Sequence, residues 1–240
     1  MRKFLRLLAA ALAFSGAVGT ASAQVMTFDN LDTSGAPGAP FLGHTDYLIE
    51  GDYAVQTFST VAGAQAGDLV GAVMDSSSCF SVMCPTNNAT SYLGSLNDGV
   101  PEFSRLDGHA FNLTQFDASF LGAEGVPIPG VSMLLRVIGV AADNSFLQED
   151  ILLPGPLNGS LSFSTYALSS AFASSAFVAV DFFGYACNAA GSCNRSVNLA
   201  QFAVDNVTFA TPVPEPSTWA LLCLGLIGIA VIRRRATAKA

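Results

Sequence analysis

Residues 24–211 predict a single all-β domain, a two-layer sandwich, with a short segment of a different kind at each end of the chain. Three observations point to it. Short runs alternate apolar and polar residues with a period of two, which marks half-buried strands. Gly, Pro, Asn and Asp interrupt those runs at close intervals, as turns between strands require. No ten-residue stretch of this region joins a helical apolar period to capping residues.

The strands follow in order. After a Gly/Pro loop at Gly35–Pro40, Tyr47–Glu50 and Ala54–Thr60 read as strands, then His109–Phe116. Ser132–Val140 is long and mostly apolar on both faces, so it belongs inside a sheet. Leu161, Phe163 and Thr165 alternate with Ser160, Ser162 and Ser164, which predicts a half-buried strand. Phe177, Ala179, Asp181 and Phe183 alternate with Val178, Val180 and Phe182, again apolar on both sides. Leu199–Phe209 closes the domain, and its apolar parity changes part-way. Phe202 and Val204 share one face, whereas Val207 and Phe209 fit the other. One extra residue near Asp205 and Asn206, a bulge, returns all four to the core.

Arg2, Lys3 and Arg6 begin the chain, Leu7–Val18 is apolar, and Ala21, Ser22 and Ala23 form a small-residue cleavage site. Residues 1–23 are therefore expected to be a secretory signal peptide, handled by the secretion translocase and signal peptidase, with Gln24 as the mature N-terminus. At the other end, Val213, Pro214, Glu215 and Pro216 lead into an uncharged run, Trp219–Ile232, that stops at Arg233, Arg234 and Arg235. Those fourteen residues span about 21 Å as a helix, less than the ~30 Å of a bilayer core. The run is apolar all round, unlike the one-sided helix of a globular surface. Each arginine costs about 2.5–3.5 kcal/mol at mid-membrane, so the basic end stays in the cytoplasm. Trp219 suits the opposite interface, and the arginine stems can snorkel. Residues 212–240 thus read as a membrane-sorting tail whose prolines keep 213–216 extended and accessible.

A Pro-Glu-Pro motif, a short apolar helix and a basic terminus resemble the PEP-CTERM sorting tail of Gram-negative surface proteins. The resemblance implies an exosortase-type transpeptidase as processing partner. It also implies anchoring in the inner membrane and then release to the cell surface or an exopolysaccharide matrix. Phe111–Ala118 and the closing strand are similar to those of the jelly-roll-like domains that many PEP-CTERM proteins carry, some of which look like carbohydrate-binding modules. A jelly-roll-like sandwich is the resulting expectation.

Once both ends are set aside, Arg105, Arg136 and Arg195 face seventeen carboxylates, a net charge of about −14 for residues 24–211. Nucleic acid and anionic lipid are disfavoured as partners, since both need a basic face. Cations, neutral sugars and basic surfaces remain. Cys79 with Cys84, and Cys187 with Cys193, are spaced for two local disulfides in an exported protein, each contributing roughly 2 kcal/mol by ring closure. Cys223 belongs to the apolar tail. No metal site is expected from this spacing, because closer cysteines or clustered histidines are lacking.

No nucleophile elbow, zinc-protease helix, phosphate-binding glycine loop or dinucleotide fingerprint is present, and no catalytic residue is assigned. His44 near Asp46, and His109 near Asp107, are expected to be loop or strand-edge residues, since neighbours along a strand do not face one another. Glu149, Asp150, Asp143 and Asn144 offer hard oxygens that suit calcium, the one cofactor the loops suggest. With the single Trp in the tail, a sugar platform falls to Tyr47, Tyr53, Tyr92, Tyr166, Tyr185 or a phenylalanine. The leading expectation is a non-catalytic exported protein, structural or exopolysaccharide-associated. The alternatives are a hydrolase whose two carboxylates meet only in the fold, ~5–9.5 Å apart, and a calcium-dependent adhesin.

Overall fold

Alternating strands with one wet face stack into layers, and here they form two antiparallel sheets around an aromatic interior. The computed structural model describes residues 23–80, 82–123, 132–195 and 199–211. The expected signal segment and the sorting tail lie outside them, apart from Ala23. In chain order the strands are β1 (Ala23–Met26), β2 (Phe41–Gly43), β3 (Tyr47–Glu50), β4 (Tyr53–Ser59) and β5 (Leu69–Met74). Next come β6 (Val82–Met83), β7 (Tyr92–Ser95), β8 (Gly99–Arg105), β9 (Asn112–Ala123) and β10 (Ser132–Val140). The last five are β11 (Phe146–Leu153), β12 (Ser164–Ala167), β13 (Ala179–Cys187), β14 (Cys193–Asn194) and β15 (Gln201–Ala210). One helical turn, α1 (Ser170–Ala173), is capped by Ser169 Oγ, which accepts from Phe172 N at 3.3 Å.

The first sheet runs β12-β9-β15-β7-β5-β2, with β1 also on β15 and β6 on β9. The second runs β11-β10-β13-β8-β4-β3, with β14 on β13. Their facing sides enclose the core. Tyr53 stacks on Phe209 at 4.0 Å, and Phe103 and Phe111 meet the same ring at 5.8 and 5.4 Å. β10 and β13 pair along their whole lengths inside the second sheet, which is why both read as apolar on two faces.

β15 carries the bulge. From Asp205 to Thr208 it advances three residues while β9 advances two, Asp117 to Gln115. Asn206 takes up the extra step at φ +49°, a conformation Asn tolerates better than most residues. Phe202, Val204, Val207 and Phe209 are all fully buried as a result. The bulge also divides one edge of β15, since β7 pairs with Phe202–Val204 and β1 with Val207–Ala210.

The structure departs from expectation at residues 157–165. Asn158 and Gly159, at φ +52° and +81°, make a tight turn in which Leu157 and Ser160 exchange hydrogen bonds of 2.9 and 3.0 Å. Two successive positive φ values are what a hairpin of that size requires. The strand therefore begins only at Ser164. Leu161 enters the central core, while Phe163 packs edge-on against Tyr92 at 5.1 Å on the outside of the first sheet. That outer face holds a second cluster of Ala72, Met74, Tyr92, Leu96, Leu121 and Ala203, covered by Val82, Cys84 and Phe163.

Candidate functional site

A glycine and an Asn–Asp turn build a polar cavity at the end of β4. Between β7 and β8, Gly99 N donates to Leu96 O at 2.9 Å, and Asn97 sits at φ +55° with Nδ2 donating to Leu69 O at 2.7 Å. A Cβ on Gly99 would lie 2.0 Å from Val70 O, so only glycine lets the turn seat against β5. Asp98 is thereby held over the end of β4. Its Oδ2 accepts from Ser59 Oγ at 2.7 Å, Thr60 N at 2.5 Å, Thr60 Oγ1 at 3.1 Å and Val61 N at 2.9 Å. Burial raises this carboxyl's pKa, but the hydrogen bonds from Ser59, Thr60 and Val61 outweigh it and hold it below the usual range. Asp98 is a carboxylate at neutral pH.

Across the site, a Cβ on Gly184 would lie 2.2 Å from Ala200 O, so β13 and the approach to β15 come unusually close there. Arg195 reaches over from this side. Its guanidinium lies 5.2 Å from the Phe183 ring, and Nη2 is 3.5 Å from the backbone oxygen of Asp98. Thr60, Val61, Asn97, Asp98, Arg195 and Ala200 line a cavity of about 280 Å³. His44 supports its rim, because Nδ1 accepts from Ser59 N at 2.9 Å and so fixes the residue whose hydroxyl holds Asp98. Asp46 is turned away from that imidazole and accepts from Gly43 N at 2.7 Å.

Other residues singled out by sequence lie elsewhere. The side chain of His109 is 80% exposed beside Asp107, which is bound by Arg105 through two nitrogens. Glu149 accepts from Ser169 N and Oγ, Asp150 from Arg136, and Asp143 from Ser145, so these oxygens serve three separate local contacts. Tyr53 and Tyr92 are core residues, 2% and 0% exposed, which removes both from any sugar platform. Tyr185 is half-buried, with Arg136 5.2 Å from its ring. Tyr166 is half-buried near Phe116, and Tyr47 is exposed.

Two carboxylate groupings emerge that the sequence did not indicate. At the bulge, the fully buried Asp205 accepts from Asn88 Nδ2 and from Asn206 N, both at 2.7 Å. Asp117 beside it accepts from Thr165 Oγ1 at 2.5 Å and Asn206 Nδ2 at 2.7 Å. Burial pushes Asp205 up to about 6 even though these donors lower it. Every carboxylate oxygen of this pair is used, so the grouping knits the bulge. On the outer face of the second sheet, Asp181 and Glu102 are directly opposed on β13 and β8. Burial first, then the Glu102 charge, push Asp181 up to about 7. As directly paired residues of neighbouring strands, the two carboxyls stand side by side on that face.

That pair gives a pH signature. The folded chain holds the Asp181 proton between about pH 4 and pH 7 whereas the unfolded chain releases it, so stability falls as pH rises through that window. Replacing Asp181 with Asn supplies a permanent donor to Glu102. Thermal melts should show Asp181→Asn more stable than wild type at pH 8 by about 1 kcal/mol, the outer face being water-screened, and equal to it near pH 4. A variant less stable than wild type at pH 8 overturns the shared-proton arrangement.

Cys79–Cys84 and Cys187–Cys193 are disulfide-bonded, with Cα atoms 5.6 and 3.9 Å apart. The first sits in the cover over the first sheet, and the second closes the β13–β14 turn. Ala23 opens β1 opposite Ala210, and Gln24 Nε2 donates to Glu50 O at 3.0 Å. Ala21, Val213, Pro214, Glu215, Pro216, Trp219, Arg233, Arg234 and Arg235 lie outside the described residues. Among the described residues no helix is long and apolar enough to cross a membrane, and no group of three His, Cys, Asp or Glu is arranged to hold a metal.

Residues 212–235 match the model of the PEP-CTERM protein-sorting motif. No curated protein matches the chain. Among solved structures, a DUF4465 family protein from Bacteroides caccae is 14% identical with a TM-score of 0.47, the match covering 78% of this chain and 98% of that one. A DUF4465 family protein from Bacteroides ovatus is 11% identical with a TM-score of 0.49, covering 80% and 100%. The enzymatically active domain of a tailspike protein of bacteriophage CBA120 is 10% identical with a TM-score of 0.32, covering 66% of this chain and 19% of that one.

Proposed function

We propose that this chain is an exported protein, sorted through its C-terminal tail by an exosortase, whose sandwich is a non-catalytic, glycan-associated component of the cell surface or its matrix. The sorting motif at residues 212–235 is the observation that carries the reading. In it, residues 1–23 are a signal peptide, Trp219–Ile232 is a short membrane helix, and Arg233, Arg234 and Arg235 hold that helix in the inner membrane until processing. The two disulfides support export, because such bonds persist in oxidising compartments. A jelly-roll-like arrangement suits the two antiparallel sheets.

A binding role is supported by what the carboxylates do. Asp181 faces Glu102, Asp205 and Asp117 secure the bulge, and Asp150 holds Arg136. Asp98, by contrast, stands in a cavity that Arg195 also lines.

The sorting step is tested by replacing Pro214, Glu215 and Pro216 with alanine in the producing cell. Full-length protein should then accumulate in the membrane fraction, with loss of the tail-less form from the surface. Release unchanged from wild type overturns the motif's role.

A further inference from the structure

Three arginines serve a domain of seventeen carboxylates, and two of them are paired with an acid. Arg105 is bound through two nitrogens by Asp107, and Arg136 likewise by Asp150. Arg195 makes no salt bridge among the described residues, although acids outnumber it so heavily. Of the five N–H donors of its guanidinium, one makes a long contact to the Asp98 backbone oxygen. The Asp98 carboxylate lies in the same cavity and does not pair with it. All of its hydrogen bonds go to Oδ2. Oδ1 has none, and since no buried side-chain oxygen among the described residues lacks a partner, Oδ1 is open to solvent. An ionised acceptor and a charged donor thus face one cavity without touching, each pinned from behind: Asp98 by the β4 end, Arg195 by Phe183.

The geometry points to a neutral sugar as the occupant, one ring bound through a vicinal diol. This rests on the glycan-associated reading above. Adjacent ring hydroxyls present a donor and an acceptor side by side, so one donates to Asp98 Oδ1 while its neighbour accepts from Arg195. Charge-assisted hydrogen bonds of this kind are the stronger ones. An acidic sugar is disfavoured, because Asp98 is held ionised and the domain around it is strongly negative. The size agrees, since drug-sized ligands need pockets from about 300 Å³ upward, and 280 Å³ takes a single ring. Thr60 and Asn97 add polar groups at the rim, whereas Val61 and Ala200 give the ring an aliphatic surface.

Affinity electrophoresis of the full-length chain in non-ionic detergent tests this, in gels carrying soluble glucan, mannan or galactan, and in a gel carrying polygalacturonate. At least one neutral polymer should retard the protein, and Arg195→Ala should weaken that retardation about tenfold or more with its melting temperature unchanged. Asp98→Asn, which keeps the shape and removes the charge, should weaken it as well. Retardation equal in wild type and Arg195→Ala overturns the pocket while leaving glycan association standing. No retardation by any of the four polymers overturns both, and retardation by polygalacturonate alone, lost in Arg195→Ala, overturns the neutral-sugar assignment and makes this an anion site instead. None of these outcomes touches the sorting step, which stands or falls on the alanine-substituted tail.

Discussion

Deleting Asn206 should unfold the domain. The extra residue between Asp205 and Thr208 is what allows Phe202, Val204, Val207 and Phe209 all to face the core. Without it β15 resumes a strict period of two, and every side chain after Asp205 changes face. Val207 and Phe209 then point outward, and Thr208 and Ala210 take their places inside. Each large apolar side chain withdrawn from a core forfeits about 1.5–3 kcal/mol of transfer energy, and the Thr208 hydroxyl is buried in exchange. Asp117 also loses its bond from Asn206. Against a total stability of about 5–15 kcal/mol for a typical domain, that combination leaves little. The deletion variant should show no cooperative thermal transition by circular dichroism, and a soluble variant melting near wild type sinks the idea. Asn206→Gly is the control. It keeps the positive φ and gives up the side-chain hydrogen bonds to Asp117, at 2.7 Å, and to Asp205, at 3.5 Å, a loss of about 1–3 kcal/mol, so it should still fold.

The bulge was legible because a parity change in an otherwise regular apolar pattern has few physical solutions. β3 and β10 were legible to the residue for a related reason, since both alternate cleanly or are apolar throughout. β5 and β7 carried no such signal. They are short, contain Gly71 and Gly94, and are buried on both faces, because a disulfide-pinned connection covers the outside of the first sheet. β11 was hidden differently. At a sheet edge it leaves Phe146 and Leu152 72% and 61% exposed, while Glu149 contacts Ser169 at the start of α1. Apolar residues in solvent and an acid bonded across to the next element erase the alternation. The serine-rich run before β12 failed through turn chemistry, because Asn158–Gly159 reverses the chain inside an apparently alternating stretch.

The candidate site was less legible than the fold. Imidazoles and aromatic rings are the side chains whose chemistry stands out in the sequence, yet His44 braces Ser59 and Tyr53 and Tyr92 lie in the core. Asp98 and Arg195 are 97 positions apart in sequence, and no local pattern joins them. Two weak signals were present. Asn97–Asp98–Gly99 is a turn signature, and Arg195 is one of three arginines left once both ends of the chain are set aside. What brings them together is the pairing of β8 with β13 and the close approach that Gly184 permits, which are properties of register and of long-range topology.

Phe209→Ala is expected to be the most costly single substitution in the domain, about 3–5 kcal/mol from lost transfer energy and the cavity left behind. The ring is fully buried. It lies nearly parallel to Tyr53, 13° between planes, and two further rings, Phe103 and Phe111, meet it. Since Tyr53 belongs to β4 of the second sheet and Phe209 to β15 of the first, the stack is a contact between layers. In a domain of this size each kcal/mol moves the melting temperature by about 2–4 °C, so a fall of about 6–20 °C is the expected result. Phe146→Ala, on a side chain mostly in solvent, should stay within about 0.5 kcal/mol of wild type. A cycle with Tyr53→Ala separates the stack from simple burial. Coupling of about 0.5–1.5 kcal/mol assigns part of the loss to the paired rings, whereas purely additive losses mean that the layers are held by buried area alone.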